Sequence, residues 1–168
     1  MPNHPNQALS NTQWIARTAV LLALTVALQM LGLPQPVTGP AVNAMLLLAA
    51  MLVGMGSGVF VGVFTPVIAF YRGILPPVLA PMVPFIAISN ALFVIVFVLL
   101  RSRNVFLALG VAAVVKFAVL ATAVRVFVPD VPPPVAAMMG TPQLITAIAG
   151  GLVALAVYRL VIRARGQR

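Results

Sequence analysis

Long apolar runs, separated by short breaks rich in proline or arginine, make up almost the whole chain. The first run, Ile15 to Leu33, follows a polar tail over residues 1–14 and stops at Pro34. Pro36, Gly39 and Pro40 predict a turn after it, because proline lacks the amide that a continuing helix needs. From Ala41 to Tyr71 the chain stays apolar. One helix of that length would be roughly 45 Å long, against a hydrocarbon core of about 30 Å. A break at Gly54-Met55-Gly56-Ser57-Gly58 resolves the mismatch and predicts two short spans, 41–54 and 58–72. A connection at membrane depth needs protein or water to satisfy its backbone.

Arg72 and Gly73 close the third span, and Pro76, Pro77, Pro81 and Pro84 exclude regular helix throughout the next stretch. The fourth span, 84–100, begins on a proline, where the missing amide costs little. Arg101-Ser102-Arg103-Asn104 reads as a polar turn, and the fifth span covers 105–128. A proline-rich connection from Pro129 leads to the sixth span, 142–162, which ends before the basic tail 163–168. The expected fold is an all-α integral membrane protein, a compact bundle of six transmembrane helices with both termini cytoplasmic.

Composition supports this reading. Of 168 residues, 62% are hydrophobic and 7% charged, whereas a soluble domain carries about a quarter charged residues to face water. At about 20 residues per span, six helices use the length and leave none for a soluble domain. The first run exceeds the usual 7–15-residue core of a cleaved signal and lacks a preceding basic region. The stretch Ala41-Val42-Asn43-Ala44 loosely resembles a cleavage site, but run length favours a retained span.

The net charge of +9 raises the question of nucleic acid. The basic residues are spread along apolar segments without accompanying aromatic residues, so membrane orientation is the better reading. With six spans, Arg17, Arg101, Arg103, Arg159, Arg163, Arg165 and Arg168 fall on one side, and Arg72 and Arg125 on the other with Asp130. That bias places the first side in the cytoplasm. Merging the second and third spans would set Arg17 opposite the Arg101–Arg103 turn, which the bias disfavours.

Lys116 is the sharpest single residue. It lies some 16 Å into the fifth span, near the midplane. A cation there costs at least about 2.5–3.5 kcal/mol unless it snorkels or finds a partner. No intramembrane carboxylate exists to pair with it. Its partner is therefore an external anion, backbone carbonyls or water, or the amine sits neutral; the bland alternative is snorkelling. Gln29, Thr38, Asn43, Tyr71, Arg72, Asn90, Thr122, Arg125 and Gln143 belong to the same outer side. A mostly apolar pocket with a few convergent polar groups is how small-ligand sites are built. Asn43, Arg72, Asn90, Lys116 and Gln143 are the candidate ligand-binding residues. Arg125, nine residues beyond Lys116, points to the opposite face of an ideal helix and reads as interfacial.

Ala19, Ala23 and Ala27 recur every fourth residue on the first span, and Ala50, Gly54, Gly58 and Gly62 repeat the spacing. Small residues at this spacing let another helix approach closely. For the glycines the expectation is packing inside the bundle; for the alanines, docking of a partner subunit is as good a reading. The chain has no cysteine, one histidine (His4, in the polar tail), no P-loop and no serine–histidine–acid set. It is not expected to be an enzyme or to need a cofactor or metal. The missing intramembrane acid argues against ion-coupled transport by this chain alone.

Six short spans, cytoplasmic termini, no ATPase motif and the Ala19–Ala23–Ala27 ladder in ARTAVLLALTVALQ resemble the S component, or substrate-binding subunit, of an energy-coupling factor (ECF) transporter. The resemblance covers the whole chain, and the stretch from PVTGPAVNAMLLLAA to TPVIAFYRGILPPVLAPMVPF is similar to members assigned only as S components. It implies a bacterial plasma-membrane subunit for vitamin uptake that docks through the alanine face on a T subunit and, through it, two ATPase subunits. It also implies a ligand held near the extracellular face, gated by outer loops. The corresponding regions would be the Pro34–Asn43 turn, the Arg72–Pro84 stretch and the Pro129–Gln143 loop. With Lys116 and Arg72 available and no buried acid, an anionic or carboxylate-bearing ligand is expected over a cation. The alternative is a small non-catalytic scaffold subunit of the MreD-like kind. A membrane enzyme ranks last.

Overall fold

The computed structural model describes residues 10–128 and 132–166. His4, Asp130, Arg168 and most of the polar amino-terminal tail lie outside the described residues. The described chain is helical and without strands. Its helices are α1 (Asn11–Met30), α2 (Gln35–Leu52), α3 (Met55–Tyr71), α4 (Val83–Leu100), α5 (Val105–Thr122), a short α6 (Pro133–Met138) and α7 (Thr141–Gly166). A 3-10 turn, Pro77–Met82, runs into α4, and a π-helical turn, Ala123–Phe127, extends α5. Five segments are long and apolar enough to cross a membrane, and α3, at 17 residues, is the shorter sixth. About 17 residues is the lower limit for a span. The molecule is an all-α, multi-pass membrane bundle.

Its boundaries follow from local chemistry. Helix α1 starts at Asn11, four residues before the expected start, because Ser10 and Gln13 form a capping box. The Ser10 hydroxyl accepts from the Gln13 amide, and the Gln13 side chain accepts from the Ser10 amide. Helix α2 already begins at Gln35, in place of the turn through Pro40 that the prolines predict. Pro36 sits in the first helical turn, where its missing amide has no partner to lose. The break between α2 and α3 is also tighter than the five residues Gly54–Gly58. Val53 and Gly54 make it, with Gly54 at φ +132°, a conformation that disfavours any side chain. At the far end α7 continues through Arg163 and Arg165 to Gly166, absorbing most of the expected basic tail.

Helices α2, α3, α4, α5 and α7 close a ring in which each packs on its neighbours, and α1 lies outside against α2 and α3. Only 11% of the apolar window of α1 is buried inside the protein, against 39% for α2. The main core joins Leu46, Leu47, Phe93, Phe97, Leu109 and Ala147 from four helices. Glycines set the close approaches. A Cβ on Gly58 would stand 2.8 Å from the Ala50 Cβ and 2.9 Å from the Leu46 carbonyl oxygen. A Cβ on Gly150 would collide with the Pro40 carbonyl oxygen and lie 2.7 Å from the Asn43 Cβ. Gly58 and Gly62 thus serve packing inside the bundle. Ala19, Ala23 and Ala27 are all exposed, while Thr18 and Thr25 carry the buried face of α1. Thr18 donates its hydroxyl to Ser57 on α3 at 2.9 Å, pinning α1 to the ring. Large apolar side chains such as Leu99, Phe106, Ile145 and Leu160 point outward, as lipid-facing positions do.

Candidate functional site

A cavity of about 320 Å³ opens at the end of the bundle opposite the Arg101–Arg103 turn. It is lined by the last turn of α1, the first turns of α2, α4 and α7, the second half of α3 with the segment after it, and the middle of α5. Its volume lies at the small-molecule end of the usual range of about 300–1,000 Å³. Leu79, Leu120 and Met139, which form a satellite apolar cluster with Met82 and Ala123, contribute to one wall. Short α6 leads Met138 and Met139 to the rim, an element the proline-rich sequence there does not predict.

Lys116 is at the floor and 4% exposed, so its amine does not snorkel to an interface. Within the chain its partners are two side-chain amides, which the sequence reading did not name. Nζ donates to Oδ1 of Asn43 on α2 at 2.6 Å and to Oδ1 of Asn90 on α4 at 2.7 Å. The Phe93 ring centroid lies 5.4 Å from Nζ and adds a cation–π contact. Two neutral oxygens solvate an ammonium without cancelling its charge. Because an ammonium has three donors, one remains beyond these two bonds.

The orientation of Asn90 is set by α3. Its Nδ2 donates to the Gly62 carbonyl oxygen at 2.9 Å, which turns its Oδ1 towards Lys116. That carbonyl is available because its helical partner would be the amide of residue 66, and Pro66 has none. Gly62 also makes room, since a Cβ there would stand 3.1 Å from the Asn90 Cβ. Pro66, Gly62, Asn90 and Lys116 therefore act as one unit across α3, α4 and α5, with Asn43 joining α2. The sequence signal for this unit is the four-residue spacing of Gly62 and Pro66, which neither a small-residue ladder nor a count of polar groups detects.

Of the five candidate ligand-binding residues, Asn43, Asn90, Lys116 and Gln143 come together in this cavity. Gln143 is 8% exposed and faces it from the start of α7. Arg72 does not join them. It caps the end of α3 as an exposed residue outside the cavity lining, because Gly73, at φ +71°, turns the chain back towards the bundle after it. Arg125, Tyr71 and Thr122 are exposed as well and do not line the cavity. Gln29 and Thr38 do line it, and Gln35 and Thr65, which sequence reasoning missed, join them. The Thr38 and Thr65 hydroxyls are engaged by backbone carbonyls of Leu33 and Val61. Oε1 of Gln29 is buried with no hydrogen-bond partner among the described residues. Buried acceptors are nearly always paired, so this one suits a donor brought by a ligand or water.

The cavity thus offers the Lys116 amine at the floor, amide groups of both polarities above it, and apolar walls. No family model matches the chain, and neither a curated protein nor a solved structure matches it.

Proposed function

We propose that this protein captures a small, vitamin-like anionic molecule in the Lys116 cavity, as the substrate-binding membrane subunit of an ECF-type ATP-driven importer. The observation that carries the reading is the buried amine of Lys116, held by two neutral amide oxygens at the floor of a small-molecule-sized cavity. An intramembrane cation is costly and persists where it has a use. A ligand carboxylate would supply the missing counter-charge, accepting from the third ammonium donor, while Gln29 and Gln143 would meet polar groups nearer the mouth.

Two further observations support the importer. The cavity opens at the end away from Arg101, Arg103, Arg159, Arg163 and Arg165. By the positive-inside bias that end faces outward from a bacterial plasma membrane, where substrate arrives. Helix α1 leaves Ala19, Ala23 and Ala27 exposed on a weakly buried helix, a surface suited to a T subunit that couples to two ATPase subunits. The protein would then perform no chemistry itself. The test is thermal unfolding of the purified protein against a panel of vitamins, their precursors and other small anions. A ligand at a hundredfold excess over its Kd adds about 2.7 kcal/mol of stability. Silence across a broad panel, from a protein that unfolds cooperatively, would favour a scaffold, which needs no cavity.

A further inference from the structure

At the opposite end of the bundle a second cavity, of about 530 Å³, lies between α2, α4, α5 and α7. Its floor is apolar, with Phe97 and Leu155 buried. Its rim carries Arg101 and Ser102 from the α4–α5 turn and Tyr158 and Arg159 from α7. Both arginines are exposed and Tyr158 is half-buried. The chain contains a single acidic side chain, Asp130, which follows α5 in sequence, whereas the Arg101–Ser102 turn precedes it. The chain therefore has no acidic side chain to spare for either guanidinium at this rim, and an external anion suits the place.

We propose that this cavity is a binding site for the headgroup of an anionic phospholipid, with the phosphate on Arg101 and Arg159. A guanidinium matches phosphate oxygens with two parallel N–H donors, and the Ser102 and Tyr158 hydroxyls supply further donors beside them. The apolar floor takes the glycerol and the start of an acyl chain, which a soluble anion does not need. Basic pockets between helices on the cytoplasmic side are where such headgroups bind. The site is independent of the Lys116 cavity, and its occupancy does not depend on what that cavity holds.

The experiment is native mass spectrometry of the full-length protein equilibrated with equal amounts of phosphatidylglycerol and phosphatidylcholine of the same acyl chains. The expected result is retained lipid enriched about tenfold in phosphatidylglycerol. The enrichment falls to near parity in R101Q/R159Q and persists in R163Q/R165Q, which removes the same charge from the end of α7. Parity in the wild-type protein overturns the proposal, with no variant needed. Equal loss in both double variants also overturns it, because the preference would then reflect diffuse surface charge. Displacement of the lipid by millimolar inorganic phosphate overturns the lipid assignment in favour of a free-anion site.

Discussion

Nζ of Lys116 on α5 donates to Oδ1 of Asn43 on α2 at 2.6 Å, joining residues 73 apart in sequence across the ring. Asn90 holds the same amine from α4, and Gly62 holds Asn90 from α3. Four helices thus meet at one buried amine, at the floor of the cavity.

This network makes two substitutions unequal. Asn90→Leu leaves the ammonium short of an acceptor and the Gly62 carbonyl without a donor, both buried. The expected loss is on the order of 3 kcal/mol. Lys116→Met removes the charge together with its desolvation cost and leaves only neutral amides to rearrange, so a loss of about 1 kcal/mol is expected. Thermal unfolding should rank wild type above Lys116→Met and Lys116→Met above Asn90→Leu. An Asn90→Leu protein as stable as wild type would show that the amine does not depend on this network.

Glycine substitutions should separate packing from propensity. Gly150→Ala drives a methyl into the backbone of α2 at Pro40 and Ala44, which cannot move aside as a side-chain tip can. Overpacking of this kind costs about 1–3 kcal/mol. A Cβ on Gly110, within α5, would meet nothing within 4 Å, so Gly110→Ala should gain up to about 1 kcal/mol from helix propensity. Opposite shifts in melting temperature are expected, and shifts of the same sign would contradict the α2–α7 contact described.

The alanine face gives a prediction that separates folding from assembly. Ala19→Leu with Ala23→Leu changes two exposed positions, so stability should stay within about 0.5 kcal/mol of wild type. Co-purification with a T subunit should be lost, because bulky side chains fill the close-approach surface. Assembly retained at wild-type yield would remove the docking role from this face.

The helix count, the lipid-facing character and the inward use of Gly58 and Gly62 are legible in the sequence because hydropathy and proline placement report them directly. Four of the five candidate ligand-binding residues converge for a related reason, since polar residues within apolar runs tend to face a cavity or one another. Arg72 shows the limit of that logic, because hydropathy and charge do not report which way a residue at a helix end faces. The partners of Lys116 are also out of reach of the sequence. They come from helices 26 and 73 residues away, and the Asn90 orientation depends on a carbonyl that Pro66 leaves free. The helix starts at Asn11 and Gln35 escape hydropathy because a capping box and an early proline extend a helix beyond its apolar run.

Equilibrium binding of a stabilising anion to wild type, Lys116→Met and Arg72→Gln separates capture at the Lys116 amine from binding elsewhere on the protein. A charge-assisted hydrogen bond contributes about 1.5–3 kcal/mol, so Lys116→Met should weaken binding by about tenfold to a hundredfold. Arg72→Gln, outside the cavity lining, should leave Kd within about twofold of wild type, a change below about 0.5 kcal/mol. Unchanged affinity in a folded Lys116→Met protein would contradict capture of the anion by the buried ammonium.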